Sequence, residues 1–128
     1  MAKILVVEDD IDLCDTYRDI LAAEGFAVDV RYTGSDAVDY LMRLLNKPDI
    51  VILDMHLPGD SGVMVLSLIH HLPRLKNTRV VVASGLPDLA RWAVDQWGAD
   101  TFLSKPVSLQ VLVKTVQELS SKPKAGAE

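Results

Sequence analysis

Five short apolar runs alternate along the chain with longer amphipathic stretches. The runs span residues 4–7, 26–31, 50–53, 79–83 and 101–103. Most lack the polar–apolar alternation of a half-exposed strand, so both of their faces must be covered. The stretches between them repeat at helical spacing. Residues 11–24 place Leu13, Tyr17, Ile20 and Leu21 on one face and meet a stop at Gly25. Ser35 is read as the cap of a second helix reaching Leu45, ended by Asn46, Lys47 and Pro48. A dense turn signal, Leu57-Pro58-Gly59-Asp60-Ser61-Gly62, precedes a third helix to about His71, with Val63, Leu66, Ile69 and His70 inward and His71 exposed. Residues 88–97 carry Leu89, Trp92, Ala93 and Gln96 on one stripe before Gly98, and residues 108–120 form the last helix. Strands and helices alternating with short connections predict an α/β fold, a parallel sheet covered on both sides with right-handed crossovers.

The length of 128 residues, 49% hydrophobic, suits one core and leaves no room for a second domain of ordinary size. We read residues 1–121 as that domain and 122–128 as a disordered tail or linker stub. The net charge of −5 argues against direct nucleic-acid binding, which needs a basic face. No apolar run approaches the roughly 20 residues of a membrane span. The apolar run before Glu8, Ile4 to Val7, is four residues long, too short for a signal peptide. Cys14 is the single cysteine, read as a half-buried filler, and forms no internal disulfide. A cytoplasmic location is the expectation.

Of the 18 acids 14 are Asp, and five acids crowd between Glu8 and Asp15. In a parallel α/β sheet the ligand site lies beyond the C-terminal strand ends. Those ends release Glu8, Asp9 and Asp10 after the first strand, Asp54 after the third, Ser84 and Gly85 after the fourth, and Ser104, Lys105 and Pro106 after the fifth. Asp10 is also a natural helix cap. Clustered carboxylates stay ionised only when a cation neutralises them. A hard dication with oxygen ligands, Mg²⁺ above all, fits such a group. With Lys105 it would stabilise charge on a transferring phosphoryl group, and an Asp there can be the nucleophile.

Four segments carry a resemblance: Ile4-Leu5-Val6-Val7-Glu8-Asp9-Asp10, the run from Asp49 to Gly59, Val81-Val82-Ala83-Ser84-Gly85, and the run from Gly98 to Pro106. In this order, each at a strand end, they resemble the receiver domain of two-component response regulators. The resemblance covers about residues 3–120. It implies a flavodoxin-like (βα)5 three-layer sandwich with strand order 2-1-3-4-5. It implies that Asp54 is the phosphoacceptor and that Asp9 contacts Mg²⁺ directly and Glu8 through water, with Asp54 and the backbone carbonyl of His56 as further ligands. Mn²⁺ is an expected substitute. Ser84 is then the switch hydroxyl, Lys105 the phosphate contact with a cis bond to Pro106, and Phe102 the aromatic switch. The implied donor is a sensor histidine kinase or a histidine phosphotransfer protein. The implied output is an altered surface on the fourth helix, fifth strand and fifth helix for a downstream protein or a missing output domain, with a phosphorylation-dependent homodimer as a further possibility. Such a chain is no enzyme beyond its own phosphorylation and dephosphorylation.

Several positions depart from the common pattern. Gly85 stands where Ala is usual, which would open room beside the phosphate. His56 and Leu86, flanking the site, should hinder water and lengthen the phosphoryl lifetime. Thr101 stands where many relatives carry an acid. Val111, Leu112, Val113 and Val116 suggest either an apolar docking face or packing beneath the sheet. Trp92 and Trp97 read as packing residues. The alternative function is a phosphate-independent receiver-like docking module, which would lack Asp9, Asp54 or Lys105; all three are present. A small-molecule phosphatase would commonly carry a second Asp where His56 stands. A flavin carrier would replace the acids after the first strand with a phosphate-cradling loop.

Overall fold

A computed structural model describes residues 2–57 and 62–121. Residues 58–61 of the expected turn, and the expected tail 122–128, lie outside the described residues. Five strands form one parallel sheet: β1 (Lys3–Val7), β2 (Ala27–Arg31), β3 (Ile50–Asp54), β4 (Arg79–Ser84) and β5 (Thr101–Ser104), in the order β2-β1-β3-β4-β5. The helices are α1 (Ile11–Ala23), α2 (Gly34–Met42), α3 (Gly62–His71), α4 (Pro87–Trp97) and α5 (Leu109–Ser120), with a 3₁₀ turn at Pro73–Leu75. The sequence order reverses between β1 and β3, which opens the crevice where such sheets bind ligands.

The alternation of side chains along each strand sorts the core into two layers. Leu5, Val7, Val51, Leu53, Val80 and Val82 face α2, α3 and α4. Ile4, Val6, Ile50, Ile52 and Val81 face α1 and α5. The expected three-layer arrangement follows from this division. Each buried aliphatic side chain contributes about 1.5–3 kcal/mol, so the central strands anchor the residues at their ends.

The structure corrects several helical readings. Thr33, not Ser35, caps α2: its side chain accepts from the Asp36 amide. The helix ends at Met42, because Arg43 adopts extended backbone and Arg74, from beyond α3, donates to the Leu41 and Asn46 carbonyls. Leu44 and Leu45 continue the helical spacing in sequence but stand in solvent, 81% and 95% exposed. On α4 the buried stripe is Ala90 and Ala93, while Trp92 and Gln96 are exposed and Trp92 packs on Trp97 at 5.7 Å between rings. His70 is exposed, not inward, with its ring lying against Gly98. Cys14 is fully buried. Leu112 and Val116 are fully buried and Val113 packs with them, so of these and Val111 only Val111 is exposed.

Candidate functional site

The end of β1 separates three adjacent acids into different duties. Asp10 caps α1, accepting from the Leu13 amide at 3.1 Å. Glu8 turns inward and is 3% exposed; its Oε2 accepts from the Asp10 amide at 3.3 Å. Its carbonyl accepts from the Cys14 thiol at 3.1 Å, which ties α1 to the strand end. Asp9 remains exposed. At the end of β3, Asp54 is 2% exposed, and its Oδ1 accepts from the His56 amide at 2.9 Å. Beyond β5, the Lys105 amide donates to the Ser84 carbonyl at 2.9 Å, and the Lys105–Pro106 bond is cis. Lys105 Nζ then lies 3.1 Å from Glu8 Oε1 and 3.2 Å from Asp54 Oδ2.

One carboxylate oxygen from each of Glu8, Asp9 and Asp54 lies within 4.8 Å of the others. Among the described residues, Lys105 alone is ion-paired to this cluster, through Glu8 and Asp54. Burial alone would lower the pKa of Lys105, but its bond to Glu8 and the charges of Asp54 and Glu8 outweigh that and raise it above the usual lysine value. Its charge thus favours the fold below the ordinary lysine value, and that contribution is lost as pH rises through the raised one. The Asp9 pKa is raised as well, which here favours the neutral form: hydrogen bonding to Glu8, burial and the Glu8 charge push its carboxyl above the usual aspartate range. The folded chain holds the Asp9 proton more tightly than the unfolded chain does. This stabilisation is present at acid pH and is lost as pH rises from 3.8 through the raised value. The donor set is all carboxylate, with no sulfur or ring nitrogen among the three, and suits a hard divalent cation. We expect Asp9→Asn to raise the metal-free melting temperature by a few degrees at pH 7 and to abolish any gain on adding Mg²⁺, both readable by thermal melting.

The remaining candidates surround this cluster without touching it. Ser84 is buried, but its hydroxyl pairs with the backbone of Leu86, accepting from the amide at 2.9 Å and donating to the carbonyl at 3.2 Å. A Cβ at Gly85 would meet nothing within 4 Å, so space beside the loop is open. Phe102 is half-buried, packs against the α3/α4 layer and carries the Arg91 guanidinium 5.8 Å from its ring centre. The hydroxyl of Tyr17 is buried without a hydrogen-bond partner among the described residues, and burial with the Glu8 charge pushes it up to about 12.

Gly62 is a further determinant of the site. A Cβ there would sit 2.7 Å from the Met55 Cα and 2.8 Å from the Asp54 carbonyl. Both are backbone atoms that cannot step aside, so the start of α3 rests directly on the strand end that carries Asp54. We expect Gly62→Ala to destabilise the chain by about 1–3 kcal/mol, the scale of overpacking, as measured by urea unfolding.

The sequence profile of the response regulator receiver domain matches residues 4–117. The chain belongs to the response regulator receiver family. A relative from Haloferax volcanii, named for transcriptional regulation, is 38% identical over 117 residues, covering 91% of this chain and 19% of the relative. The chain thus spans about a fifth of the length of that curated relative. Among solved structures, the signal receiver domain of a DNA binding response regulator protein from Colwellia psychrerythraea 34H superposes with a TM-score of 0.84 at 28% identity, covering 95% of this chain and 100% of that one. The signal receiver domain of a signal transduction histidine kinase from Syntrophus aciditrophicus gives 0.83 at 29% identity, covering 94% and 91%. The flavodoxin-like receiver fold and its sheet order stand as expected. This receiver is a signalling module of two-component systems rather than a classical enzyme, and its acidic pocket is of the kind that serves a phosphoacceptor. Among the described residues, no helix is long and apolar enough to cross a membrane.

Proposed function

We propose that this receiver accepts a phosphoryl group on Asp54 and changes the surface around α4, β5 and α5 in response. The observation that carries the reading is the placement of Asp54: buried, within reach of two further carboxylates, and ion-paired to Lys105 at 3.2 Å. An Asp54 oxygen attacks phosphorus, the new oxygen–phosphorus bond forms, and the bond to the leaving group of the donor breaks. The His56 amide holds the other oxygen of Asp54 and aims the carboxylate. Glu8, Asp9, Asp54 and the His56 carbonyl would hold Mg²⁺, or Mn²⁺ in its place. When bound there, the ion would supply charge stabilisation to the transferring phosphoryl group.

Lys105 is already drawn to this point by two carboxylates and follows the added negative charge. Ser84 exchanges its Leu86 partners for a phosphoryl oxygen, which releases the loop before α4. Phe102, covered by Arg91, adjusts on β5 beside it. A chain of this kind works in the cytoplasm, takes its phosphoryl group from a histidine kinase or histidine phosphotransfer protein, and acts on a downstream protein, an attached output domain or a second receiver.

The test is a time course of phosphoryl uptake from acetyl phosphate, read by intact mass. A single adduct that needs Mg²⁺ and vanishes with chelator supports the reading. A folded chain that stays unmodified under both conditions removes it, and leaves phosphate-independent docking as the function.

The lifetime of the adduct has its own determinants. His56 and Leu86 are exposed at the rim of the site, Leu86 by 53%. Their bulk stands where water must approach for hydrolysis. We expect His56→Ala to shorten the half-life by about tenfold, worth roughly 1.4 kcal/mol in the barrier. An unchanged or longer half-life in a decay assay contradicts this role.

A further inference from the structure

The outer face between α2 and α3 carries a surface that phosphoryl chemistry does not use, reaching from the first turn of α3 at Met64 to its last residue, His71. Between the two helices runs an apolar groove of about 280 Å³, lined by Val38, Met64, Ser67, Leu68 and His71. α2 continues one turn beyond Val38 to Met42, and Arg74 holds the segment after it in place through the Leu41 and Asn46 carbonyls. That segment presents Met42, Leu44 and Leu45 at 54%, 81% and 95% exposure. Apolar residues exposed in a group, beside an apolar concavity, mark a contact surface.

Charge identifies what this surface fits. The chain is acidic overall, yet residues 40–48 and 67–79 contain no acid. They contain Arg43, Lys47, Arg74, Lys76 and the buried Arg79, none ion-paired among the described residues. Arg43 also faces the α2 acids Asp36 and Asp39 across a polar pocket, so Lys47, Arg74 and Lys76 carry the argument. Arg74 spends its hydrogen bonds on carbonyls and keeps its charge. A second copy would bring the same positive corner against itself. A bilayer would meet the projecting leucines but leave the groove unfilled. An amphipathic helix fills a groove between two helices through anchors at i, i+3, i+4 and i+7.

We propose that the α2–α3 groove and the 42–47 segment dock an acidic amphipathic helix of a protein partner. None of the groove residues belongs to α4, β5 or α5, so docking here tethers the receiver while that surface changes.

The unphosphorylated chain is titrated with a synthetic helical peptide of about 18 residues, Leu at the anchor positions and Glu elsewhere. A twin peptide carries Lys in place of every Glu. The acidic peptide is expected to bind and to weaken as salt rises. Its affinity should drop about tenfold or more in Leu45→Asp and in Met64→Glu, and less in Lys47→Glu. These side chains are exposed, and circular dichroism checks that the variants remain folded. Binding of neither peptide, equal binding of both, or binding indifferent to these variants overturns the proposal. Binding to phosphatidylserine vesicles with no response to the acidic peptide overturns it in favour of a membrane. A concentration-dependent dimer abolished by Leu45→Asp, again without peptide binding, overturns it in favour of a second copy.

Discussion

Asp54→Asn is expected to take up no phosphoryl group from acetyl phosphate at saturating Mg²⁺ while remaining folded. Asparagine keeps an oxygen for the His56 amide, so the local backbone stays in place. It loses the nucleophilic carboxylate, and no neutral amide oxygen replaces that at phosphorus. Removing one of three crowded carboxylates also relieves repulsion, and Lys105 retains Glu8 at 3.1 Å. Stability should therefore change by no more than about 1 kcal/mol, in either direction. An intact-mass time course beside a urea melt checks both halves. Uptake by this variant would place the acceptor elsewhere.

Lys105→Ala is the second large effect, and it separates chemistry from stability. Among the described residues, Lys105 is the only cation paired with Glu8 or Asp54. Losing a preorganised charge aimed at the reacting group slows transfer by about 10²–10³-fold. Removing one partner of a buried ion pair costs about 3–5 kcal/mol. Lys105 is 29% exposed and water reaches it, so we expect a loss nearer ~2 kcal/mol. Mg²⁺ should restore much of that stability, since it answers the same carboxylates, but not the rate. A variant that melts normally without metal, or phosphorylates at the parental rate, contradicts the role assigned to Lys105.

The architecture was legible because the central strands β1, β3 and β4 are continuous aliphatic runs rich in Val and Ile, a pattern that local context rarely overrides. The residues at the strand ends followed from the topology, and Glu8, Asp54 and Lys105 do meet. Leu44 and Leu45 keep the helical period of α2 in sequence; the helix stops where Arg74, distant in sequence, takes the Leu41 carbonyl. Thr33 and Ser35 are both competent caps, and only backbone geometry selects Thr33. Asp9 and Asp10 look alike in sequence and divide their work by which carboxylate meets the Leu13 amide. The Cys14 thiol on Glu8, the Arg91 cover on Phe102 and the fit of Gly62 against Asp54 depend on long-range approach. A glycine opening a helix shortly after a strand end is the one available signal for Gly62, and it is shared with ordinary turns.

The identity of the acceptor is tested most directly by chemical mapping. The chain is phosphorylated with acetyl phosphate and Mg²⁺, reduced with borohydride, digested and sequenced by tandem mass spectrometry. An acyl phosphate on aspartate is reduced to homoserine, which marks the residue that held it. Homoserine at position 54, absent from the chelator-treated control, is the expected result. Phosphate retained on Ser84 or on a histidine, or homoserine at position 9 with Asp54 unaltered, would contradict the account.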